Sequence, residues 1–208
     1  WVSVSVPIAG HQVVTRLWRA QVGRISVILL DTNCPENSPA DRDITHRLYG
    51  GDRTTRIEQE IVLGMGGVKA LAEMGIQPSV WHINEGHAAF LGIELMCELA
   101  DRGVPTSTAL EAVAAASVFT THTPVAAGNE IHDLPTMRRM SADLGFTDGE
   151  LTMIGGDPFS MTVAGLRMAR LANAVAALHG DTARAMWKGV DGAAPIISIT
   201  NGVHAPTW

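Results

Sequence analysis

The chain has 208 residues, 46% of them hydrophobic and 17% charged, a length and mixture suited to one packed domain or a large part of one. That composition excludes a disordered chain, a collagen-like repeat and a coiled coil. Acidic residues outnumber basic ones by 21 to 15, for a net charge of −6, and no basic stripe interrupts them, which argues against nucleic acid as the main partner. The first element is legible from alternation: Val2, Val4 and Val6 point one way, Ser3 and Ser5 the other, the period of a β-strand. Gly10 punctuates, and residues 13–19 predict a second strand. Residues 25–30 are a continuous apolar run and predict a buried strand. Residues 31–43, rich in Pro, Asn, Asp and Ser, predict a loop.

The clearest helix follows. Thr55 and Glu58 have capping-box spacing, and Ile57, Ile61, Met65, Val68 and Leu71 share one apolar face. Gly64, Gly66 and Gly67 interrupt that helix at up to about 1 kcal/mol each against Ala, a cost that points to close packing. They lie inside a helix rather than between strand and helix, so they do not read as a phosphate-cradling loop. Residues 78–83 predict a short strand running into Asn84-Glu85-Gly86-His87, and residues 88–100 an apolar helix. Thr108 and Glu111 suggest a second capping box for a helix reaching Ser117, followed by a strand over 118–121 and a turn over 124–128. A helix is predicted over 135–144, and 147–156 reads as turn-rich. Residues 160–187 read as one long helix, with Met161, Ala164, Met168, Leu171, Val175 and Leu178 on one side. Residues 196–199 form a last strand leading into Asn201-Gly202-Val203-His204. Strands alternating with helices predict an α/β fold, a Rossmann-like and largely parallel sheet with flanking helices. No apolar run is long enough for a membrane helix and no signal-peptide pattern is present, so no membrane partner is expected. Cys34 and Cys97 read as reduced structural thiols of a cytoplasmic protein. Opening on Trp1 rather than Met and closing on Trp208, the chain reads as an excerpt from a longer protein.

Polar residues gather at three strand ends: His82, Asn84, Glu85 and His87; Thr121, His122 and Thr123; Asn201 and His204. Ligands of open parallel sheets bind beyond the carboxyl ends of the strands, so these groups predict one shared cleft. Three chemistries fit the residue types. His82, Glu85 and His87 offer two imidazoles and a carboxylate to a metal-dependent hydrolase, although their spacing matches neither zincin pattern. Glu85 and Asp52 are the carboxylates available for acid–base glycoside hydrolysis. The same groups could instead bind a polyol or hold a tight strand-to-helix turn, as in a sugar-binding module without chemistry. No nucleophile elbow and no Walker loop are present, and neither cysteine lies among groups that would activate it.

The stretch WHINEGHAAF resembles the α-glucan phosphorylases, the glycogen, starch and maltodextrin phosphorylases, most nearly their shorter bacterial type. LYGGD (48–52), RIEQE (56–60), VFTTHTP (118–124), LRMARLANAVAALHG (166–180) and ITNGVHAPTW (199–208) extend the resemblance in order over nearly the whole chain. It implies that residues 1–208 form part of the N-terminal lobe of a two-lobed type-B glycosyltransferase fold, without the C-terminal cofactor-binding domain. The implied reaction is reversible, retaining phosphorolysis of a terminal α-1,4-linked glucose by inorganic phosphate to glucose 1-phosphate. Pyridoxal phosphate would serve through its phosphate group, and a homo-oligomer of the intact protein is one possible assembly.

By the same resemblance His122 matches the catalytic-site histidine that contacts the glucose 6-hydroxyl and, through its backbone carbonyl, the reacting centre. Asn201 matches an asparagine on the same hydroxyl, and Asp52 the acid of a mobile active-site loop. Glu85 and His87 match the acid and histidine of the turn under the cleft. Asn129 and Glu130 stand where His-Asp is usual, and Ser160 where Asn is usual. The lysine that holds the cofactor lies in a motif unlike the surroundings of Lys69 and Lys188, the two lysines of this chain. No phosphorylase activity is expected of the 208 residues alone.

Overall fold

A computed structural model describes residues 2–48, 50–141 and 144–207. Trp1 and Trp208 lie outside them, as do Tyr49 of the LYGGD stretch and Ala142 and Asp143 near the end of the helix predicted over 135–144. The chain opens with an antiparallel meander of β1 (Ser3–Ile8), β2 (His11–Val22) and β3 (Ile25–Asp31). Ala9 and Gly10 make the first turn with φ of 50° and 86°, which glycine adopts freely. Alternation sends Val6, Ile8 and Val13 into the core. The strand at 25–30 is not buried as predicted. It is the sheet's outer strand, and Ile25, Val27 and Leu29 face away from the core with Val22 and Trp18.

The predicted loop over 31–43 contains a short helix, α1 (Pro39–Asp43), capped by Ser38. Helix α2 (Arg53–Glu73) packs the Ile57, Ile61, Met65, Val68 face against β1 and α3 (Phe90–Ala100). Its cap is Asp52 rather than Thr55: the Asp52 carboxylate accepts from the amides of Thr54 and Thr55. Gly64 is where α3 crosses, since a Cβ there would lie 2.5 Å from the Leu91 nitrogen, whereas Gly67 faces open space.

The second sheet holds β4 (Trp81–Asn84), β5 (Ser117–Thr121), β8 (Leu171–Ala174) and β9 (Ile196–Ser198), in that order and all parallel. Ile83, Phe119, Leu166 and Ala172 make its core. Between β4 and β5 lie α3 and α4 (Thr106–Ala116). The predicted Thr108–Glu111 box is not made; α4 starts after Pro105 without a side-chain cap. The capping box that does form is Thr147 with Glu150, opening α6 (Asp148–Gly155) in the stretch read as turns. Before it, α5 (Leu134–Met140) is capped by Asp133. The paired β6 (Ile131–His132) and β7 (Phe159–Ser160) join this region to α7 (Met161–Arg167).

The largest correction falls on residues 160–187. They are not one helix but α7, then β8, then α8 (Ala177–Trp187). Leu171-Ala-Asn-Ala174 alternates half-buried and buried along β8, so the alanines carry a period of two within a stretch whose larger residues mimic a helical period. Insertion between β5 and β9 completes the sheet, and tertiary pairing overrides alanine's helix propensity, which is the highest of any residue but small beside packing.

Candidate active site

The carboxyl ends of β4 and β5 lie side by side, with Asn84 paired to Thr120 in the ladder. The chain turns at Glu85 with φ 72° and ψ 164°, a region that is essentially glycine's and costs a residue with a side chain about 1–3 kcal/mol. That cost is offset by what the Glu85 carboxylate collects. Oε2 accepts from the amides of His122 at 2.7 Å and Thr123 at 3.0 Å, and from the Thr123 hydroxyl at 3.0 Å. Oε1 accepts from the Gly86 amide at 2.9 Å. The His122 ring reaches back to Asn84, with Nε2 2.8 Å from Oδ1.

These groups open on a cleft of about 440 Å³, lined by Asn84, Glu85, Gly86, His87, His122 and Thr123. Arg56, Gly128, Asn129, Glu130 and Thr162 complete the lining. Gly86 packs closely: a Cβ there would sit 3.2 Å from the Thr162 nitrogen, so Thr162 would have to give by a few tenths of an ångström. His87 is half-buried. Burial and the neighbouring Arg56 charge push its ring below the ordinary imidazole range, while Glu85 pulls the other way. An adjoining cavity of about 330 Å³, walled largely by Ile28, Leu29, Leu30, Val62 and Leu63, shares Arg56 and His87.

The sequence reading is sorted by this geometry. Glu85, His87 and His122 come together, and Asn84 joins them. Asp52 does not line the cleft; it caps α2 one turn before Arg56, and its amide hydrogen bonds, that of Thr55 first, hold its carboxyl below the usual range. Asn201 is exposed and outside the lining, with its amide on the Val175 carbonyl at 3.0 Å. That bond continues the pairing of β9 with β8, so Asn201 lies beyond the carboxyl end of β9, two strands from the end of β5 that leads into His122, or about 10 Å at ordinary strand spacing.

The metal reading is overturned. His82 turns to the Thr120 hydroxyl at 2.7 Å, the Glu85 oxygens are taken by amides, and among the described residues no His, Cys, Asp and Glu side chains group to hold an ion. The hydrolytic pair dissolves for the same reason, since Asp52 and Glu85 both hold backbone amides. His204 bonds Thr207 locally.

Arg56 was missed as a cleft residue; its only sequence signal is the RIEQE stretch. It pairs with Glu130, and Glu60, 1% exposed, lies beneath it at 3.7 Å. The residues that depart from the usual family pattern have local tasks. Asn129 accepts from the Thr162 hydroxyl at 2.8 Å and donates to the Val125 carbonyl at 2.9 Å. Ser160 caps α7 through the Val163 amide. Neither Lys69, paired with Glu94, nor Lys188, at the end of α8, lines the cleft.

Comparison with known proteins gives this arrangement relatives. The chain is 46% identical to a glycogen phosphorylase of Mycobacterium tuberculosis over 93% of its length. It is 38% identical to the maltodextrin phosphorylase of Thermococcus litoralis over 99%, and 34% identical to a glycogen phosphorylase of Aquifex aeolicus over its whole length. The chain is homologous to a segment of the glycogen and maltodextrin phosphorylases. It spans 25%, 26% and 32% of those three relatives, so it corresponds to a portion of them. No family model matches the chain. Among solved structures, the catalytic domain of Arabidopsis thaliana starch synthase IV, bound to ADP and acarbose, superposes with a TM-score of 0.65 at 14% identity. All of this chain and 41% of that one are covered, which establishes the α/β type-B glycosyltransferase fold. Among the described residues no helix is long and apolar enough to cross a membrane.

Proposed function

We propose that residues 1–208 are part of the N-terminal lobe of an α-glucan phosphorylase and supply the wall of its cleft that recognises the terminal glucose. The observation that carries this reading is the convergence of Asn84, Glu85, His87 and His122 where β4 and β5 end, in a chain homologous to phosphorylases. The reaction is phosphorolysis of a terminal α-1,4-linked glucose by inorganic phosphate, giving glucose 1-phosphate. A sugar is selected by polar groups that would be left unpaired without its hydroxyls. His122 offers a ring nitrogen to the 6-hydroxyl and a backbone carbonyl to the reacting centre. The Glu85 carboxylate holds the His122 and Thr123 amides, so it aims that carbonyl rather than touching sugar. Asn201, beyond the end of β9, reaches the sugar only if the segment 199–207 folds over the cleft mouth.

Pyridoxal phosphate, which the phosphorylases use, is not fitted by this chain. Lys69 and Lys188 both lie outside the cleft, and Lys69 is committed to Glu94. The cofactor site therefore belongs to the rest of the protein.

The test is the longer protein carrying this chain, assayed for glucose 1-phosphate from a linear α-1,4-glucan and inorganic phosphate. His122→Ala removes one neutral hydrogen bond and leaves its partner unpaired, so kcat/KM should fall by about ten- to several-hundredfold. The fall should shrink for a terminal sugar lacking the 6-hydroxyl. Equal losses on both substrates would reject the role assigned to His122, and an inactive wild-type protein would reject the function.

A further inference from the structure

We propose that Asn84 is a positioning residue that fixes the ring tautomer of His122 and so presents Nδ1 to the cleft as a bare acceptor. The proposal rests on the reading that the cleft holds a terminal glucose, and it deepens it by naming the polarity of the contact. With the Asn84 amide placed so that Oδ1 faces the ring at 2.8 Å, the oxygen accepts and the His122 Nε2 carries the proton; the amide turned over would present Nδ2 and reverse the assignment, which is what the ring spectrum reads. A neutral imidazole has one ring N–H, which leaves Nδ1 unprotonated. Among the described residues Nδ1 has no hydrogen-bond partner, and the ring stands exposed in the cleft wall. A bare acceptor there takes a donor, and a sugar hydroxyl supplies one.

The backbone shows how one dipeptide achieves this. Neighbours on a strand project to opposite faces, so Asn84 and Glu85 could not both meet His122 in a regular strand. The positive φ of Glu85 breaks the alternation. Asn84 then holds the ring while Glu85 holds the amide of the same residue. His122 is thus fixed at two points from one side, and its ring polarity is chosen by the residue type at 84. The strain at Glu85 falls on the residue whose conformation makes this possible.

The experiment uses the longer protein, labelled with ¹⁵N at histidine, with His122→Ala to assign the ring signals. The neutral His122 ring should show the Nε2–H form. In the direction of glucan synthesis, Asn84→Leu should lower kcat/KM with glucose 1-phosphate by about three- to tenfold, the worth of one neutral hydrogen bond. With 6-deoxyglucose 1-phosphate the loss should be under about twofold, because that sugar has no hydroxyl to present to Nδ1. Asn84→Asp keeps an acceptor oxygen and should preserve both the tautomer and the preference for the 6-hydroxyl. Asn84→Leu combined with His122→Ala should be no worse than His122→Ala alone. An Nδ1–H ring, or equal losses on the two donors, would overturn the proposal. A wild-type protein that transfers no glucose would overturn the phosphorylase reading, while the ring spectrum would still decide the role of Asn84.

Discussion

At the scale of single residues, the acids picked out by sequence do not act as acids. Asp52 and Glu85 are both hydrogen-bond acceptors for backbone amides, and a carboxylate so engaged is a fastener. His87 also lines the cleft, and it is half-buried there. Burial and Arg56 disfavour its charged form, so the folded chain binds a proton there more weakly than the unfolded chain does. Its contribution to stability is complete above the ordinary imidazole value near 6.5 and is lost as pH falls through the lower folded value. Denaturant unfolding should therefore show stability falling on acidification below about pH 6.5, and His87→Gln should flatten that slope. An unchanged slope in His87→Gln would mean the ring titrates as freely in the folded protein as in the unfolded one. Cys97 follows the same logic in the opposite chemical sense: burial, helped by the nearby Glu94 charge, pushes its thiol up to about 12, which makes it a packing residue.

At the scale of elements, α2 is set by what it packs against. Its three glycines look equivalent in sequence and are not. Gly64 lies under α3 with the Leu91 backbone in the way of any Cβ, Gly66 sits against Val6, and Gly67 meets nothing within 4 Å. Gly67→Ala should thus raise stability by up to about 1 kcal/mol, the gain in helix propensity. Gly64→Ala makes the same local gain but forces two backbones apart, and should destabilise by about 1–3 kcal/mol. Thermal or urea unfolding of the two variants checks the contrast; similar effects at both positions would show that the α2–α3 contact is looser than this packing requires. The same contact decides the site, because α2 carries Arg56 and α3 continues directly from the turn that holds Glu85 and His87.

At the scale of the molecule, two sheet faces are left open, and that of the meander is unusually apolar. Trp18, Val22, Ile25, Val27 and Leu29 form a band on the outer face of the meander, 42%, 62%, 57%, 39% and 50% exposed. On the parallel sheet, Ile197 is 40% exposed beside half-buried Val118 and Leu171, whereas parallel sheets are ordinarily covered on both faces. An apolar band along an outer strand invites pairing with another chain. The 208 residues alone should self-associate at about tens of micromolar, and Val27→Lys with Leu29→Lys should reduce it. Light scattering after size separation reads this directly. A monodisperse monomer of the unsubstituted chain would show that the band is tolerated in water.

Much of this protein was already determined by its sequence, and the physical reason is locality. The alternation of Val2 to Val6, the 3.6-residue face from Ile57 to Val68 and the short apolar strands ending in polar residues each carry a local period, so the α/β class and the polar ends of β4 and β5 could be read directly, whereas the third predicted group, Asn201 and His204, lies outside the cleft. The stretch from WHINEGHAAF to ITNGVHAPTW likewise carried the kinship. Tertiary structure alone decided what depends on neighbours distant in sequence. Leu171-Ala-Asn-Ala174 became a strand because a gap between β5 and β9 accepted it. Ile25, Val27 and Leu29 became exposed because no described element covers the outer face of the meander, whereas Leu30 turns to the core. Arg56 entered the cleft through the docking of α2, and the Glu85 carboxylate met two amides nearly forty residues away. Such hydrogen bonds join segments with no common period, so their partners become visible only when the sheet has brought the strand ends together.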